Sequence, residues 1–194
     1  MNQRLRFVIF VVVALAQLAV AGGAIVKSEL ALRTGEAFRF RIQPVDPVDA
    51  FRGRYVAIRF AVDRAPAGDD LDVKPGKQVF LPIEIDADGY AILGQASAEK
   101  PASGPYLRLR AGGIYPDEEG TRFVWVSMPF RRYYMDEDLA PEAGRAVWSG
   151  RRGQREASVS VRIRGGVGVI EELYIADVPI HQWLADNADN ADNR

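Results

Sequence analysis

No cysteine occurs among the 194 residues, which excludes disulfides, thiolate metal sites and a cysteine nucleophile. Histidine occurs once, at His181, too few for a zinc site in a chain without thiolates. Neither sign of charge is in surplus. With 25 basic and 26 acidic residues the net charge is −1, and such a balance leaves no electrostatic footprint for nucleic acid. A second long apolar run is missing, so the chain is not polytopic. Strand–helix–strand alternation is also missing, which argues against a parallel nucleotide-binding sheet.

What is present begins with one apolar run, Phe7 to Val26, interrupted only by Gln17, Gly22 and Gly23. As a helix it spans about 30 Å, the thickness of a bilayer's hydrocarbon core. A basic head precedes it (Arg4, Arg6 and the amino group) and is expected to stay in the cytoplasm. Lys27, Arg33, Arg39 and Arg41 follow the run, so counting Lys and Arg does not set the orientation. Long domains translocate largely regardless of charge, and the remainder is therefore expected on the extracytoplasmic, periplasmic side of the cell inner (cytoplasmic) membrane. Signal-peptide cores are usually about 7–15 residues, so a retained single-pass anchor is expected. The alternative is a leader cleaved after Ala21, at Ala19-Val20-Ala21. A buried core helix fits neither the all-round apolar surface nor the basic leader.

Beyond the run, residues 27–37 are polar and helix-tolerant, a short stalk. From Phe38 the period becomes two. Phe38, Phe40 and Ile42 alternate with Arg39, Arg41 and Gln43, a half-buried strand. Pro44 and Pro47 end it in a loop. Val56, Ile58, Phe60 and Val62 define a second strand, and Val79, Leu81, Ile83 and Ile85 a third. Asp86-Ala87-Asp88-Gly89 is a hairpin turn, with Gly89 free to take positive φ, and residues 90–98 return. Residues 106–111 and 122–128 form a further pair, joined by a loop holding Gly112, Gly113, Pro116 and Gly120. One short helix is expected near 138–149. Val159, Val161 and Ile163, a Gly165-Gly166 turn and residues 167–175 make the last hairpin.

These signals predict an all-β domain over residues 38–185, mainly an antiparallel sandwich or partly open barrel. Residues 1–6 form the cytoplasmic tail and 7–26 the transmembrane helix. Residues 186–194, a polar Asp/Asn repeat, have the composition of a disordered tail. That repeat lacks the glycine and final glutamate of a calcium loop.

The stretch PVDPVDAFRGRYVAIRF at 44–60 resembles the bacterial GDYXXLXY family. Gly53, Tyr55 and the apolar position of Ile58 match the motif; Arg54 replaces its aspartate and Phe60 its last tyrosine. The Pro- and Asp-rich lead-in (Pro44, Asp46, Pro47, Asp49) is similar to the family's own. So are the block Pro129 to Tyr134 (PFRRYY), the closing hairpin at 156–175 and the single N-terminal membrane segment. The resemblance implies a membrane-anchored envelope protein of unsettled activity, often encoded near polytopic membrane proteins. It implies no catalytic residues, and Arg54 carries over no role that needs a carboxylate.

Two segments are candidates for a contact surface. Asp46, Asp49, Arg52, Arg54 and Tyr55 crowd a proline-stiffened loop, where fixed charges suit a partner or ligand. The same residues also serve as turn caps and solvated ion pairs in many loops. Arg131, Arg132, Tyr133 and Tyr134 mix basic and aromatic side chains, a pattern that stacks on sugars or sits at lipid headgroups. A strand end with snorkelling arginines has the same composition. Arg151, Arg152 and Arg155 make a basic loop, by default a solvated face.

Catalytic constellations are thin. His181 stands beside Trp183, and no G-x-S-x-G elbow accompanies it. Four lysines (Lys27, Lys74, Lys77, Lys100) lack the S-x-x-K spacing of a serine–lysine enzyme. Glu171 and Glu172, adjacent in a strand, point to opposite faces and cannot share a substrate. No catalytic residue, cofactor or metal site is therefore expected. The reading is a membrane-anchored extracytoplasmic accessory or binding module. Its expected contact is a polytopic membrane protein or an envelope component such as anionic lipid or glycan. The alternative is an envelope hydrolase or transferase using Asp/Glu/Arg/Tyr chemistry.

Overall fold

The computed structural model describes residues 2–43, 55–68, 70–149 and 156–192. Helix α1 runs from Gln3 to Thr34. Its apolar stretch holds no proline and consists mainly of Ala, Leu, Val and Ile, so nothing interrupts the backbone ladder. The helix is long and apolar enough to cross a membrane. Ala31 alone of its residues is buried.

The stretch 27–37 divides between two elements. Residues through Thr34 prolong the helix, held by the Glu29–Arg33 pair one turn apart and by Thr34 Oγ1 donating to the Leu30 carbonyl. Glu36 then opens strand β1, Glu36–Gln43. Gly35 is the joint. A Cβ there would stand 2.3 Å from the Ala31 carbonyl oxygen and 3.0 Å from the backbone of Ile163. Only a residue without a side chain lets the helix end come this close to the sheet.

Strands β2 (Tyr55–Ala57), β3 (Arg59–Phe60), β4 (Arg64–Pro66), β5 (Gln78–Ile85), β6 (Ala91–Leu93), β7 (Tyr106–Pro116), β8 (Arg122–Val126) and β9 (Arg132–Tyr134) follow. Helix α2 (Ala140–Ser149), strands β10 (Ala157–Arg164), β11 (Val167–Ile175) and β12 (Val178–Pro179), and helix α3 (Ile180–Asp192) complete the described chain. One sheet has the order β12-β11-β10-β1-β3 and a second β4-β8-β7-β5-β6, while β2 and β9 pair alone. Every pairing between these strands is antiparallel. Ala96 N–H donates to the Pro66 carbonyl at 2.8 Å, which returns the end of the second sheet to its start and nearly closes it into a barrel.

Alternation dictates the core. Phe38, Phe40 and Ile42 of β1, Val79, Leu81 and Ile83 of β5, and Val159, Val161 and Ile163 of β10 all turn inward. Phe40 is fully buried, with its ring edge-on to Phe60 at 5.7 Å. Each such side chain contributes about 1.5–3 kcal/mol by burial. Arg108 N–H donates to the Gly166 carbonyl at 3.0 Å and ties the two large sheets at the tip of the β10–β11 hairpin.

Three local departures from the sequence expectation have physical causes. The single strand expected over 56–62 is split at Ile58. Its N–H donates to the Arg131 carbonyl (2.9 Å), so β2 joins β9 and β3 joins β1. Gly112 to Pro116, expected in a loop, continue β7. A bulge between Ala111 and Gly113, the latter at φ +149°, absorbs the register shift and lets the strand run on. Finally, α3 runs to Asp192, through residues whose composition suggests disorder. Ile180 and Leu184 sit in the core and give the helix a packed start, which offsets the nucleation cost that a free polar segment meets.

Candidate functional site

Of the expected contact residues, Asp46, Asp49, Arg52 and Arg54 lie outside the described residues, as do Gly53 and the basic loop at 151–155. The others converge. The β2–β9 pairing sets Tyr55 opposite Tyr134, Val56 opposite Tyr133 and Ala57 opposite Arg132. The Tyr55 and Tyr134 rings meet edge to face at 5.9 Å. The Arg132 guanidinium lies 4.8 Å from the centre of the Tyr55 ring, a cation–π contact. Arg131 Nε donates to the Met128 carbonyl at 3.2 Å.

Tyr133 turns the other way. It is buried, its hydroxyl donates to Glu172 at 2.8 Å, and His181 Nε2 is 3.5 Å off. Burial first, and then the bond to Glu172, push the phenol well above its ordinary range, so it remains a neutral donor. Tyr133 therefore fastens β9 to β11, while Tyr134, 67% exposed, faces outward. Glu171 and Glu172 diverge: Glu171 engages Arg162 (2.8 Å) and Ser160 (3.0 Å), and Glu172 engages Tyr133. The Arg162 bond chiefly holds the Glu171 carboxyl below its ordinary range, helped by Ser160 and against its own desolvation.

Between these elements lies an open groove of about 660 Å³, walled by residues 129–134, by 168–171 of β11 and by Ser28 of α1. Phe130 lines it. Its ring meets Phe60 edge-on at 5.3 Å and lies against Gly168, where a Cβ would stand 2.6 Å from the ring. Pairing with β12 covers only Tyr174 and Ile175 of β11, so among the described residues the β11 edge along the groove has no strand partner. A second cleft of about 450 Å³ adjoins. It is lined by Ala24, Ile25, Ser28, Glu29, Leu32 and Val169, so Ser28 and Val169 belong to both. Among the described residues no cluster of three or more His, Asp or Glu is placed to hold a metal.

Sequence reasoning missed half of this groove. Ser28 and Gly168 to Glu171 carry no local signal of their own; they meet the 130–134 block only through long-range pairing. The closing hairpin was visible, but not which of its edges would stay open.

Fold and groove together define a class: a β domain whose N-terminal helix is long and apolar enough to cross a membrane, with a basic–aromatic groove beside that helix. The sequence model of the GDYXXLXY protein family matches residues 17–173. The chain belongs to that family, and the match runs from the second half of α1 through most of β11, so it contains the groove. Neither the curated proteins nor the solved structures give a match to this chain.

Proposed function

We propose that the protein is a membrane-anchored binding module. α1 is its retained single-pass anchor in the cytoplasmic membrane, and the β domain stands on the extracytoplasmic side. The groove is the surface that meets a neighbour in or on that membrane. One observation carries the reading: Ser28, two residues beyond the apolar run, is itself a wall of the groove. The contact surface and the anchor are then one structure. Confinement to the membrane raises the effective concentration of any neighbour, so a shallow groove of modest affinity suffices. The lining supports binding over acid–base chemistry. Its carboxylate, Glu171, is already engaged by Arg162 and Ser160, and Tyr133 is held neutral beneath it.

The test is site-specific photocrosslinking of the full-length chain in its native membrane. A photoreactive residue at position 134 is expected to capture a membrane protein or lipid. One at Ala87, exposed in the turn between β5 and β6 that Arg41 holds at the end of β1 away from α1, is expected to capture little. Equal labelling at the two positions would overturn the proposal.

A further inference from the structure

We infer that the groove binds the headgroup phosphate of an anionic phospholipid drawn from the bilayer around α1, with Arg131 as its ligand and one acyl chain laid in the adjoining cleft. This rests on the membrane-anchored reading and goes beyond it by naming the occupant.

Depth comes first. If the hydrocarbon core ends with the apolar run at Val26, Ser28 lies about 3 Å beyond it along the helix axis. The headgroup layer is roughly 5–8 Å thick on each side, so the Ser28 wall of the groove falls within that layer. Ala24 and Ile25, which line the second cleft, fall within the hydrocarbon. The two cavities share Ser28 and Val169, and the second runs from Leu32 and Glu29 past them to Ala24 and Ile25, so the groove at headgroup level is continuous with a mostly apolar cleft whose lower end reaches chain level. A soluble anion matches only the first chamber, and an apolar peptide only the second. A phospholipid has both parts, covalently joined at the matching depth.

Charge comes second. Arg131 is exposed; its Nε is held by the Met128 carbonyl, and its terminal nitrogens meet no carboxylate among the described residues. A guanidinium fixed at one nitrogen and open at the other two presents the fork that phosphate oxygens accept. Arg132 lies beside it in the lining, against the Tyr55 ring. Across the groove, Glu171 is compensated by Arg162 and does not cancel this field. Tyr134, exposed at the rim, is of the type that settles at the membrane–water interface.

The experiment is native mass spectrometry of the full-length chain in detergent. The probes are phosphatidylglycerol, phosphatidylcholine with the same acyl chains, and inorganic phosphate. One phosphatidylglycerol is expected to remain bound, about tenfold preferred over phosphatidylcholine, whose phosphate is the same but whose trimethylammonium sets a like charge against the Arg131 guanidinium. Arg131→Gln is expected to abolish the preference and Arg131→Lys, which keeps the charge but not the fork, to retain only part of it. Lys74→Gln, the same charge change on an exposed turn, is expected to leave it intact. Ala24→Trp, which fills the cleft, is expected to weaken both lipids. Equal retention of the two lipids, indifference to Arg131→Gln, or displacement of the lipid by equimolar inorganic phosphate would overturn the inference. If no lipid preference appears while position 134 still captures a membrane protein, the lipid inference fails and the binding-module reading stands. Capture of neither lipid nor protein sinks both.

Discussion

Arg41 and Arg131 occupy opposite kinds of surroundings. Arg41 bonds Asp86 and Asp88 in the β5–β6 turn, lies 3.6 Å from Glu156 and stacks 4.0 Å over the Tyr90 ring. It clasps β1 of one sheet to a hairpin of the other, and each of its three guanidinium nitrogens has a carboxylate within 4 Å. Arg131 has a single backbone carbonyl and an open groove. The saturated arginine holds the fold, whereas the open one is available to a ligand. Composition alone treats them as equals.

The comparison breaks first at the packing that supports both regions. Phe40→Ala removes a fully buried ring shared with Phe60 and is expected to cost about 3–5 kcal/mol. Gly35→Ala drives a methyl against backbone atoms that cannot move aside, with an expected cost of about 3 kcal/mol. It should also tilt α1 away from β10 and β11. Denaturant midpoints of the full chain in detergent measure both. A Gly35→Ala protein as stable as the parent would show that α1 is not docked on the sheet.

The arginines themselves sharpen it. Arg41→Ala is expected to destabilise by about 1–2 kcal/mol, since its ion pairs are partly exposed. Arg131→Ala should stay within about 0.5 kcal/mol. Equal losses would erase the distinction between clasp and ligand site. The clasp also has a pH signature. The Tyr90 backbone N–H foremost, with Arg41 and the Asp88 N–H, holds the Asp86 carboxyl below its unfolded value of 3.8. A depressed folded-state pKa gives stability that is complete above the unfolded value and is lost as pH falls through the folded one. The stability gap between the parent and Asp86→Asn is therefore expected to be flat from about pH 7 to pH 5 and to shrink below pH 3.8. A gap that closes already at pH 5 would contradict this. Tyr133→Phe is expected to cost roughly 1 kcal/mol for a hydrogen bond to a half-exposed carboxylate, read as a loss of β9–β11 protection in hydrogen exchange.

Much of the scaffold was legible in the residues. Period-two burial marked β1, β5 and the β10–β11 hairpin, and the turn ending in Gly89 has the expected positive φ of +86°. What was not legible depends on partners distant in sequence. Nothing near Ile58 announces that its N–H will seek the Arg131 carbonyl, and nothing near Gly168 announces the Phe130 ring. The basic–aromatic block stood out because its residue types are unusual together. The glycine, serine and glutamate that complete the groove are unremarkable until the sheet edge brings them beside α1.

The central claim is that the groove sits at the membrane surface, and the chain's lack of cysteine makes a direct measurement clean. A single cysteine carrying a fluorophore is placed at position 134 of the full-length protein in liposomes, and quenching by headgroup-labelled lipid is recorded. The reference is position 87, in the β5–β6 turn that Arg41 holds at the end of β1 away from α1, six residues and so about 20 Å along that strand from Gly35. Strong quenching at 134 with little at 87 is the predicted result. Equal quenching at the two positions, or none at 134, would place the groove away from the bilayer and contradict the account.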